Sequence, residues 1–229
     1  MHIVVPTCAA YSDAWGPFVT LFHKYWPACP YPVTLITDRA DRPWDLGEVI
    51  EVGPDRGWCA NFLAGLERIK PERVLLLQED FWFNFAPDEA FIRSALEIMK
   101  HNQDVACFRL YPCPGPEQEF SPRVGLIRPS AAYRVSCQAA IWRDDELRWL
   151  LSQNNTPREF EIDGSRQSAA ERANRTYLSV LEPDPNKWPL QYYCTAIVRG
   201  EWDPNALEFC QRVGVPVDTS RRSTLFCPR

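Results

Sequence analysis

The chain has 229 residues, 45% of them apolar and 13% aromatic, and its 25 Lys and Arg against 30 Asp and Glu give a formal net charge of −5 at pH 7. This length predicts one large domain with a sizeable core, and the aromatic content excludes an intrinsically disordered chain. The acidic balance excludes a general nucleic-acid-binding protein, which carries a basic footprint.

The first 80 residues alternate short apolar runs with helical patterns. Residues 2–5 form an apolar run that ends at Pro6, and residues 13–26 carry apolar side chains at helical spacing. The predicted elements that follow are strands at 33–37 and 48–52, a helix at 58–69 and a strand at 73–80 that ends in acidic residues. Parallel strands that alternate with helices predict a right-handed α/β layer structure.

The pattern after residue 80 is less regular. Residues 87–100 predict a helix and residues 105–111 a strand, and the prolines that follow predict a loop. The remaining predicted elements are a strand at 132–142, a helix at 144–151, a polar loop at 152–158, a short helix at 166–173, strands at 177–181 and 192–198, and a helix at 204–213. Because no internal repeat or low-complexity linker divides the sequence, we predict a single domain over residues 1–229.

The nine cysteines are spread along the chain from Cys8 to Cys227. Their odd number and the lack of a CxxC pair favour reduced thiols, and no Cys or His has the spacing of a structural zinc site. The sequence contains neither a signal peptide nor an apolar run of about 20 residues. We therefore expect a cytoplasmic location, with at most transient membrane contact because no basic amphipathic helix is evident.

Polar side chains follow three of the predicted strands. In open α/β sheets, ligands bind beyond the carboxyl ends of the strands. This rule selects Pro6, Thr7, Asp38, Gln78, Glu79 and Asp80. A carboxylate there can hold Mg²⁺ or Mn²⁺ while substrate phosphates supply the other ligands. Acidic residues are also common in ordinary loops, which is the alternative reading of Asp38, whereas the apolar strand before Asp80 favours a binding site.

Four segments resemble one enzyme family. They are the strand, helix and strand of residues 2–38, the Gly-x-x-x-Asn stretch at 57–61, the acidic strand end at 75–81, and the pair 136–142 and 160–164. Over about residues 1–200 the sequence resembles the GT-A glycosyltransferases, and more narrowly small bacterial enzymes of surface-polysaccharide assembly. The resemblance implies a Rossmann-like mixed sheet flanked by helices, with a nucleotide-sugar-binding half at 1–110 and an acceptor-binding half at 111–229.

The resemblance also implies roles for individual residues. Thr7, Asp38 and Asn61 would contact the donor nucleoside or order its loop, and Asp80 would bind the metal. Gln78 stands where the family's Asp-x-Asp motif has its first acid. Gln78 can hydrogen-bond to the donor ribose but adds no charge, so the need for Mg²⁺ or Mn²⁺ stays open. Glu79 is expected to point away from Asp80 because neighbouring residues of a strand alternate faces.

Sugar transfer needs a base for the acceptor hydroxyl and a compensating charge for the leaving diphosphate. The resemblance assigns the base to an acidic loop, with Glu161 as first candidate and Asp163 as second. Residues 163–165 also fit a simple turn or helix cap. Arg199 ends a strand-like run and is predicted to meet the diphosphate. The sequence does not choose among the candidate arginines, which are Arg109, Arg134, Arg199, Arg221 and Arg222.

We therefore expect a glycosyltransferase that moves a sugar from a nucleotide donor, most often a uridine diphosphate sugar in this fold, to a carbohydrate or lipid-linked acceptor. A carboxylate base implies inversion at the anomeric carbon. A sugar nucleotidyltransferase is disfavoured, because no Gly-rich loop with Lys or Arg follows the first strand. A non-catalytic carbohydrate- or partner-binding module is the other alternative, since Gln78 replaces the first acid of the motif.

Overall fold

The computed structural model describes residues 1–193 and 195–225. The strands, in chain order, are β1 (His2–Pro6), β2 (Val33–Thr37), β3 (Glu48–Glu51), β4 (Arg73–Leu76), β5 (Trp82–Phe83), β6 (Val105–Arg109), β7 (Gln118–Ser121), β8 (Val124–Ile127), β9 (Ala140–Arg143), β10 (Thr176–Val180), β11 (Tyr192–Tyr193), β12 (Ile197–Val198) and β13 (Glu201–Trp202). The α-helices are α1 (Trp15–Tyr25), α2 (Trp58–Ile69), α3 (Glu89–His101), α4 (Asp144–Gln153), α5 (Pro157–Glu171) and α6 (Pro204–Val213).

One mixed sheet of nine strands organises the molecule, in the order β3-β2-β1-β4-β9-β6-β10-β8-β7. The four strands from β3 to β4 are mutually parallel. Strand β9 runs antiparallel to both of its neighbours, β4 and β6. The parallel half and the flanking helices confirm the predicted fold class, a Rossmann-like mixed sheet in a single domain.

Both faces of this sheet are buried, which explains the continuous apolar runs of its strands. Ile3 and Val5 of β1 belong to a core formed with α1, α3 and α6, whereas Val4 belongs to a core formed with α2, α4 and α5. Strand β4 repeats the alternation, with Leu75 on the first side and Leu76 on the second. Within residues 1–193 and 195–225, no helix is long and apolar enough to cross a membrane.

The region around residue 160 differs from the prediction. A polar loop at 152–158 and a short helix at 166–173 were expected, but α4 extends to Gln153 and α5 is continuous from Pro157 to Glu171, which leaves only residues 154–156 between the two helices. Thr156 caps this helix by accepting a hydrogen bond from the Glu159 backbone N–H, and Pro157 occupies its first turn. Gly164 lies inside the helix rather than in a turn, and a Cβ there would lie 3.3 Å from Leu150 Cδ2. Close packing of α5 on α4 therefore explains this glycine.

Several predicted strands are shorter than expected. The strand predicted at 73–80 ends at Leu76, and the strand predicted at 132–142 is confined to β9 because the preceding residues form turns. The prolines after residue 111 do not make the whole region a loop, since β7 and β8 pair there as antiparallel strands, with β7 at the edge of the sheet. The strand predicted at 192–198 is divided into β11 and β12. These differences lie mainly at the edge of the sheet where the candidate site is found.

Gly65 of α2 allows close contact between that helix and β2. A Cβ at Gly65 would lie 2.2 Å from Ile36 Cδ1 and 2.5 Å from Ile36 Cγ1. We expect Gly65→Ala to lower the free energy of unfolding by about 1–3 kcal/mol, because a buried β-branched side chain must move. Gly16→Ala in α1 is the matched control, since its Cβ would meet nothing within 4 Å. Urea denaturation should show that Gly16→Ala raises the free energy of unfolding by about 0.5–1 kcal/mol. Equal effects of the two substitutions would contradict the close contact between α2 and β2.

Candidate functional site

The candidate site lies where the carboxyl ends of β1, β2 and β4 meet the amino end of β9. Ala140 of β9 pairs with Leu76 of β4, so the segment before β9 reaches the same edge of the sheet as Gln78 and Glu79. A cavity of about 270 Å³ opens at this edge. Its walls include the predicted residues Pro6, Thr7, Asn61, Gln78 and Glu79. The cavity thus brings together four residues predicted by the strand-end rule and Asn61, which the family resemblance predicted.

The cavity has further wall residues that the sequence did not select. Tyr11 follows β1 on a 3-10 helix (Ala9–Ala14), and Asp55 belongs to the loop after β3. Applying the strand-end rule to the third predicted strand would have found Asp55. No comparable signal identifies Tyr11, because its position depends on the fold of the segment after β1. Cys8 and the first residues of α2 and α5, Trp58 and Pro157, complete the wall.

Asn61 organises the loop that borders this cavity. Its side-chain Nδ2 donates to Asp55 Oδ1 at 2.7 Å, and its Oδ1 accepts from the Arg56 backbone N–H at 3.2 Å. Asp55 Oδ1 also accepts from the Gly57 backbone N–H at 2.8 Å. Gly57 has φ of 95°, a conformation that glycine adopts without steric cost. Of the two roles expected for Asn61, the geometry therefore provides loop ordering directly.

Asp38 stabilises the backbone beside the cavity rather than lining it. Its Oδ1 accepts hydrogen bonds from the Ala9 backbone N–H at 2.7 Å and from Thr37 Oγ1 at 3.2 Å. These bonds tie the end of β2 to the 3-10 helix that follows β1. Asp38 thus has the structural role expected of an ordinary loop residue, and it supports the segment that presents Thr7 and Tyr11.

Glu79, and not Asp80, lies in the cavity wall. The strand alternation used to rank Asp80 first does not apply, because β4 ends at Leu76 and residues 79–80 form a turn. The Glu79 carboxyl hydrogen-bonds with the side chain of Thr7. Asp80 Oδ2 instead accepts from Thr195 Oγ1 at 3.0 Å and from the Ile197 backbone N–H at 3.4 Å. Asp80 therefore anchors the 195–197 segment behind the cavity.

Both of these carboxyl groups are buried, with 8% of Glu79 and 9% of Asp80 exposed. Loss of hydration raises the pKa of Glu79 above its usual range, and the nearby charge of Asp80 raises it further. Burial likewise raises the pKa of Asp80, although hydrogen bonds from Thr195 and Ile197 oppose that shift. The positive charge of Arg222 favours the ionised form of both carboxyls.

Arg222 is the candidate arginine whose charge reaches Glu79 and Asp80. Its guanidinium makes two hydrogen bonds to buried Asp13, with Nε at 2.6 Å from Oδ2 and Nη2 at 2.7 Å from Oδ1. Nη2 also donates to the Ala10 carbonyl at 2.9 Å. The guanidinium carbon lies 4.9 Å from the ring centroid of Tyr11, a cavity residue. The C-terminal segment therefore contacts the helical turn that borders the cavity.

The other candidate arginines do not line the cavity, and most of them bond to groups elsewhere in the fold. Arg109 is buried and donates to the carbonyls of Pro114, Tyr133 and Arg134 at 2.7–3.0 Å. Arg134 donates to carbonyls and to a serine hydroxyl in the core, and Arg221 donates to Ser12 Oγ at 2.6 Å. Arg199 is exposed in the turn between β12 and β13, and it does not line the cavity. The structure does not bring Arg199 to the other predicted residues.

Glu161 and Asp163 lie in α5 and not in the expected acidic loop. Glu161 Oε1 accepts from the Cys137 backbone N–H at 2.8 Å and from Ser136 Oγ at 3.1 Å. It lies one helical turn beyond Pro157, or about 6 Å along the axis, and Pro157 is part of the cavity wall. Asp163 pairs with Arg166 at 3.0 Å, and 46% of its side chain is exposed. Neither acid lines the cavity, but Glu161 is hydrogen-bonded to Ser136 and Cys137 in the segment that precedes β9.

The acidic groups of the site fit a cation only in a limited way. Within the described ranges, 1–193 and 195–225, no cluster of three or more His, Cys, Asp or Glu side chains is arranged to hold a metal ion. Glu79 and Asp80 are adjacent buried carboxyl groups whose pKa values are raised in the absence of a neutralising ion. They therefore fit a cation that takes one or two carboxylates from the protein and its other ligands from substrate phosphates.

Comparison with known proteins supports the fold. No protein-family profile and no curated protein sequence matches the chain. The structure is similar to a cytidylyltransferase from Leptospira borgpetersenii serovar Hardjo-bovis, with a TM-score of 0.51 and 10% identity over 99% of this chain and 98% of that one. It is also similar to residues 1–349 of S. aureus TarS, with a TM-score of 0.50 and 14% identity over 93% of this chain and 64% of that one. At these identities the likeness concerns the fold.

The raised pKa of Glu79 predicts a pH-dependent stability. Its folded pKa lies above the unfolded value of 4.5, so the contribution of this group to stability is complete below that value and is lost as the pH rises through the folded pKa. As the pH rises from about 5 to about 9, the free energy of unfolding should therefore fall less for Glu79→Gln than for the wild type. Chemical denaturation across that range measures the effect, and Glu119→Gln on the exposed strand β7 should follow the wild-type curve. Parallel curves for Glu79→Gln and the wild type would contradict the burial of an ionisable Glu79.

Proposed function

We propose that the protein is a glycosyltransferase that moves a sugar from a nucleoside diphosphate sugar, with UDP-sugar as the expected donor, to a hydroxyl of a carbohydrate or lipid-linked acceptor. The observation that carries this proposal is the position of two features at one edge of the sheet. One is the cavity that presents Thr7 and Glu79, and the other is the Glu161 carboxylate held by Cys137. Donor binding and proton removal thus have separate groups on neighbouring elements.

The cavity supports the binding of a nucleotide donor. It combines the aromatic side chains of Tyr11 and Trp58 with the polar groups of Thr7, Gln78 and Glu79. Small-molecule sites commonly have this composition, in which aromatic surface supplies contact area and a few polar groups fix the orientation. Its location beyond the carboxyl ends of β1 and β4 is the usual position of ligands in open α/β sheets. The pyrimidine of the donor would lie against the aromatic wall.

Glu161 has the arrangement of a general base. Within the described part of the chain, both hydrogen bonds to its carboxylate are made to Oε1, so Oε2 is the oxygen that would face a substrate hydroxyl. In a direct displacement, the acceptor oxygen bonds to the anomeric carbon while the bond from that carbon to the diphosphate breaks. The electron pair of the broken bond leaves with the diphosphate, and the hydroxyl proton passes to Glu161. This reaction inverts the anomeric configuration.

Glu79, with Asp80 behind it, would hold a divalent cation such as Mg²⁺ or Mn²⁺. When bound, that cation would offset the negative charge that develops on the leaving diphosphate. Arg222 contributes a fixed positive charge near both carboxyls, but its guanidinium is already paired with Asp13. The protein's own residues therefore orient the donor and set the local charge, while Glu161 moves the proton.

Nucleotidyl transfer is the second candidate, because a cytidylyltransferase shares the fold. The segment after β1 argues against it. Residues 7–14 contain no Gly, Lys or Arg, and the cavity wall carries the acids Asp55 and Glu79. A nucleoside triphosphate requires backbone N–H groups and cations at that position. Release of pyrophosphate from CTP would favour this candidate over glycosyl transfer.

Donor binding can be tested by the thermal stability of the protein with nucleotides. We expect UDP to raise the Tm more than CDP, GDP or TDP, and Mn²⁺ to increase the shift. A ligand at a hundredfold excess over its Kd stabilises the native state by about 2.7 kcal/mol, which is readily measured. Glu79→Ala should lose the Mn²⁺-dependent part of the shift, whereas Glu119→Ala should keep it. A wild-type protein whose Tm responds to none of the four nucleotides would contradict the proposed donor site.

The role of Glu161 can be tested with UDP-glucose and UDP-N-acetylglucosamine, followed by release of UDP with water as acceptor. Glu161→Gln should lower kcat by about 10²- to 10⁴-fold while UDP binding stays unchanged, because the carboxamide keeps the hydrogen bond from Cys137 but cannot accept the proton. Glu171→Gln, at the end of the same helix, is the control and should behave as the wild type. Loss of activity in Asp163→Asn instead would transfer the role to Asp163, and a product with retained configuration would exclude a direct displacement.

A further inference from the structure

A second recessed surface lies beside the candidate site and plays no part in the mechanism above. Two cavities of about 400 and 190 Å³ share Asn84 and Phe85. We define the aromatic groove as these two cavities together. Besides Asn84 and Phe85, its walls include Tyr111, Trp188, Tyr193 and Phe209. Aromatic rings thus line both parts of the groove.

The ribbon of β5 and β11 builds one wall of the aromatic groove. Phe83 pairs with Tyr192, and the Asn84 backbone N–H donates to the Gln191 carbonyl at 3.4 Å. The chain then turns outward, which leaves Phe85 53% exposed. Asn84 Oδ1 is buried and has no hydrogen-bond partner among the described residues, although buried polar atoms are normally paired. This wall therefore presents the exposed ring of Phe85 to the groove, while Asn84 Oδ1 lies beneath the surface.

A continuous aromatic stack connects the aromatic groove to the candidate site. Phe81, next to Asp80, stacks on Tyr192 with ring centroids 4.4 Å apart. Tyr192 stacks in turn on Tyr111 at 4.4 Å, and Tyr111 meets the edge of Trp188 at 4.8 Å. Such aromatic pairs add stabilisation beyond the area that they bury. The stack thus holds the walls of the groove in a fixed position relative to the end of β4.

Hydrogen bonds join the same stack to the proposed base. The Tyr192 hydroxyl donates to Gln138 Oε1 at 2.7 Å and accepts from the Ala139 backbone N–H at 3.1 Å. Gln138 directly follows Cys137, whose backbone N–H donates to Glu161. Tyr192 is therefore a wall residue of the aromatic groove that is bonded to the segment holding Glu161. A ligand in the groove would therefore contact a residue that is bonded to this segment.

We propose that the aromatic groove binds a neutral oligosaccharide and presents its terminal hydroxyl to Glu161. This inference rests on the proposed function and identifies its acceptor as a glycan chain. Aromatic faces fit the apolar C–H faces of sugar rings, and the side-chain amides of Asn84, Asn186 and Gln191 can exchange hydrogen bonds with hydroxyls. Glu208 and Arg212, in the larger cavity, carry opposite charges, which favours a neutral ligand over an ionic one.

The test uses cellotetraose, chitotetraose and maltotetraose as probes and measures binding by saturation-transfer NMR and tryptophan fluorescence. We expect at least one tetrasaccharide to bind the wild type and Phe85→Ala to weaken that binding about tenfold, the loss expected for one stacked ring. Phe120→Ala is the matched control, because Phe120 is 48% exposed on β7, away from the groove. Binding by the control should equal that of the wild type.

Three outcomes would overturn the inference. They are no binding of any tetrasaccharide, equal binding by Phe85→Ala and the wild type, or self-association that Phe85→Ala abolishes, since the groove would then receive a second copy of the chain. UDP binding is measured on the same samples. If the tetrasaccharide results overturn the inference but UDP still binds, the proposed function stands. Tetrasaccharide binding by a protein that binds no nucleotide would support the groove and reject the transferase.

Discussion

The ion pair between Arg222 and Asp13 is the contact on which the candidate site depends. Asp13 is fully buried, and only 9% of the Arg222 side chain is exposed, so each charge needs the other. The pair joins the C-terminal segment to the 3-10 helix that carries Tyr11. The same guanidinium favours ionisation of Glu79 and Asp80. One cation thus fixes the shape of the donor cavity and offsets its acidic charge.

The sheet topology explains how the two halves of the chain share one site. Strand β9 belongs to the second half of the sequence but lies between β4 and β6 of the first half. Because β9 runs antiparallel to β4, the segment before it arrives at the carboxyl end of β4. Glu161 reaches the same edge through its bond to Cys137. The cavity and the segment that holds Glu161 therefore meet at one edge of the sheet without a separate domain.

The two sides of the site differ in chemistry. The donor cavity contains buried carboxyl groups and suits a ligand that brings phosphates and a cation with it. The aromatic groove offers stacked rings and amides, with Tyr192 bonded to the segment that holds Glu161. This division accords with a reaction between an anionic donor and a neutral acceptor. The bond from Cys137 to Glu161, at the edge of the sheet where the cavity opens, is the basis of the proposed mechanism.

The sequence alone determined the parallel half of the sheet and part of the site, because these follow from local patterns. Strands buried on both faces appear as apolar runs, and polar residues after them, such as Thr7 and Glu79, must lie at one edge of a parallel sheet. The first part of helix α5, before the helix predicted at 166–173, escaped prediction because the positions that α5 buries include Gly164, Ser165 and Ser168, which give no apolar period. Only the tertiary structure decided that Glu79 rather than Asp80 lines the cavity and that Arg222 reaches Asp13, since the first depends on where β4 ends and the second joins residues 209 positions apart.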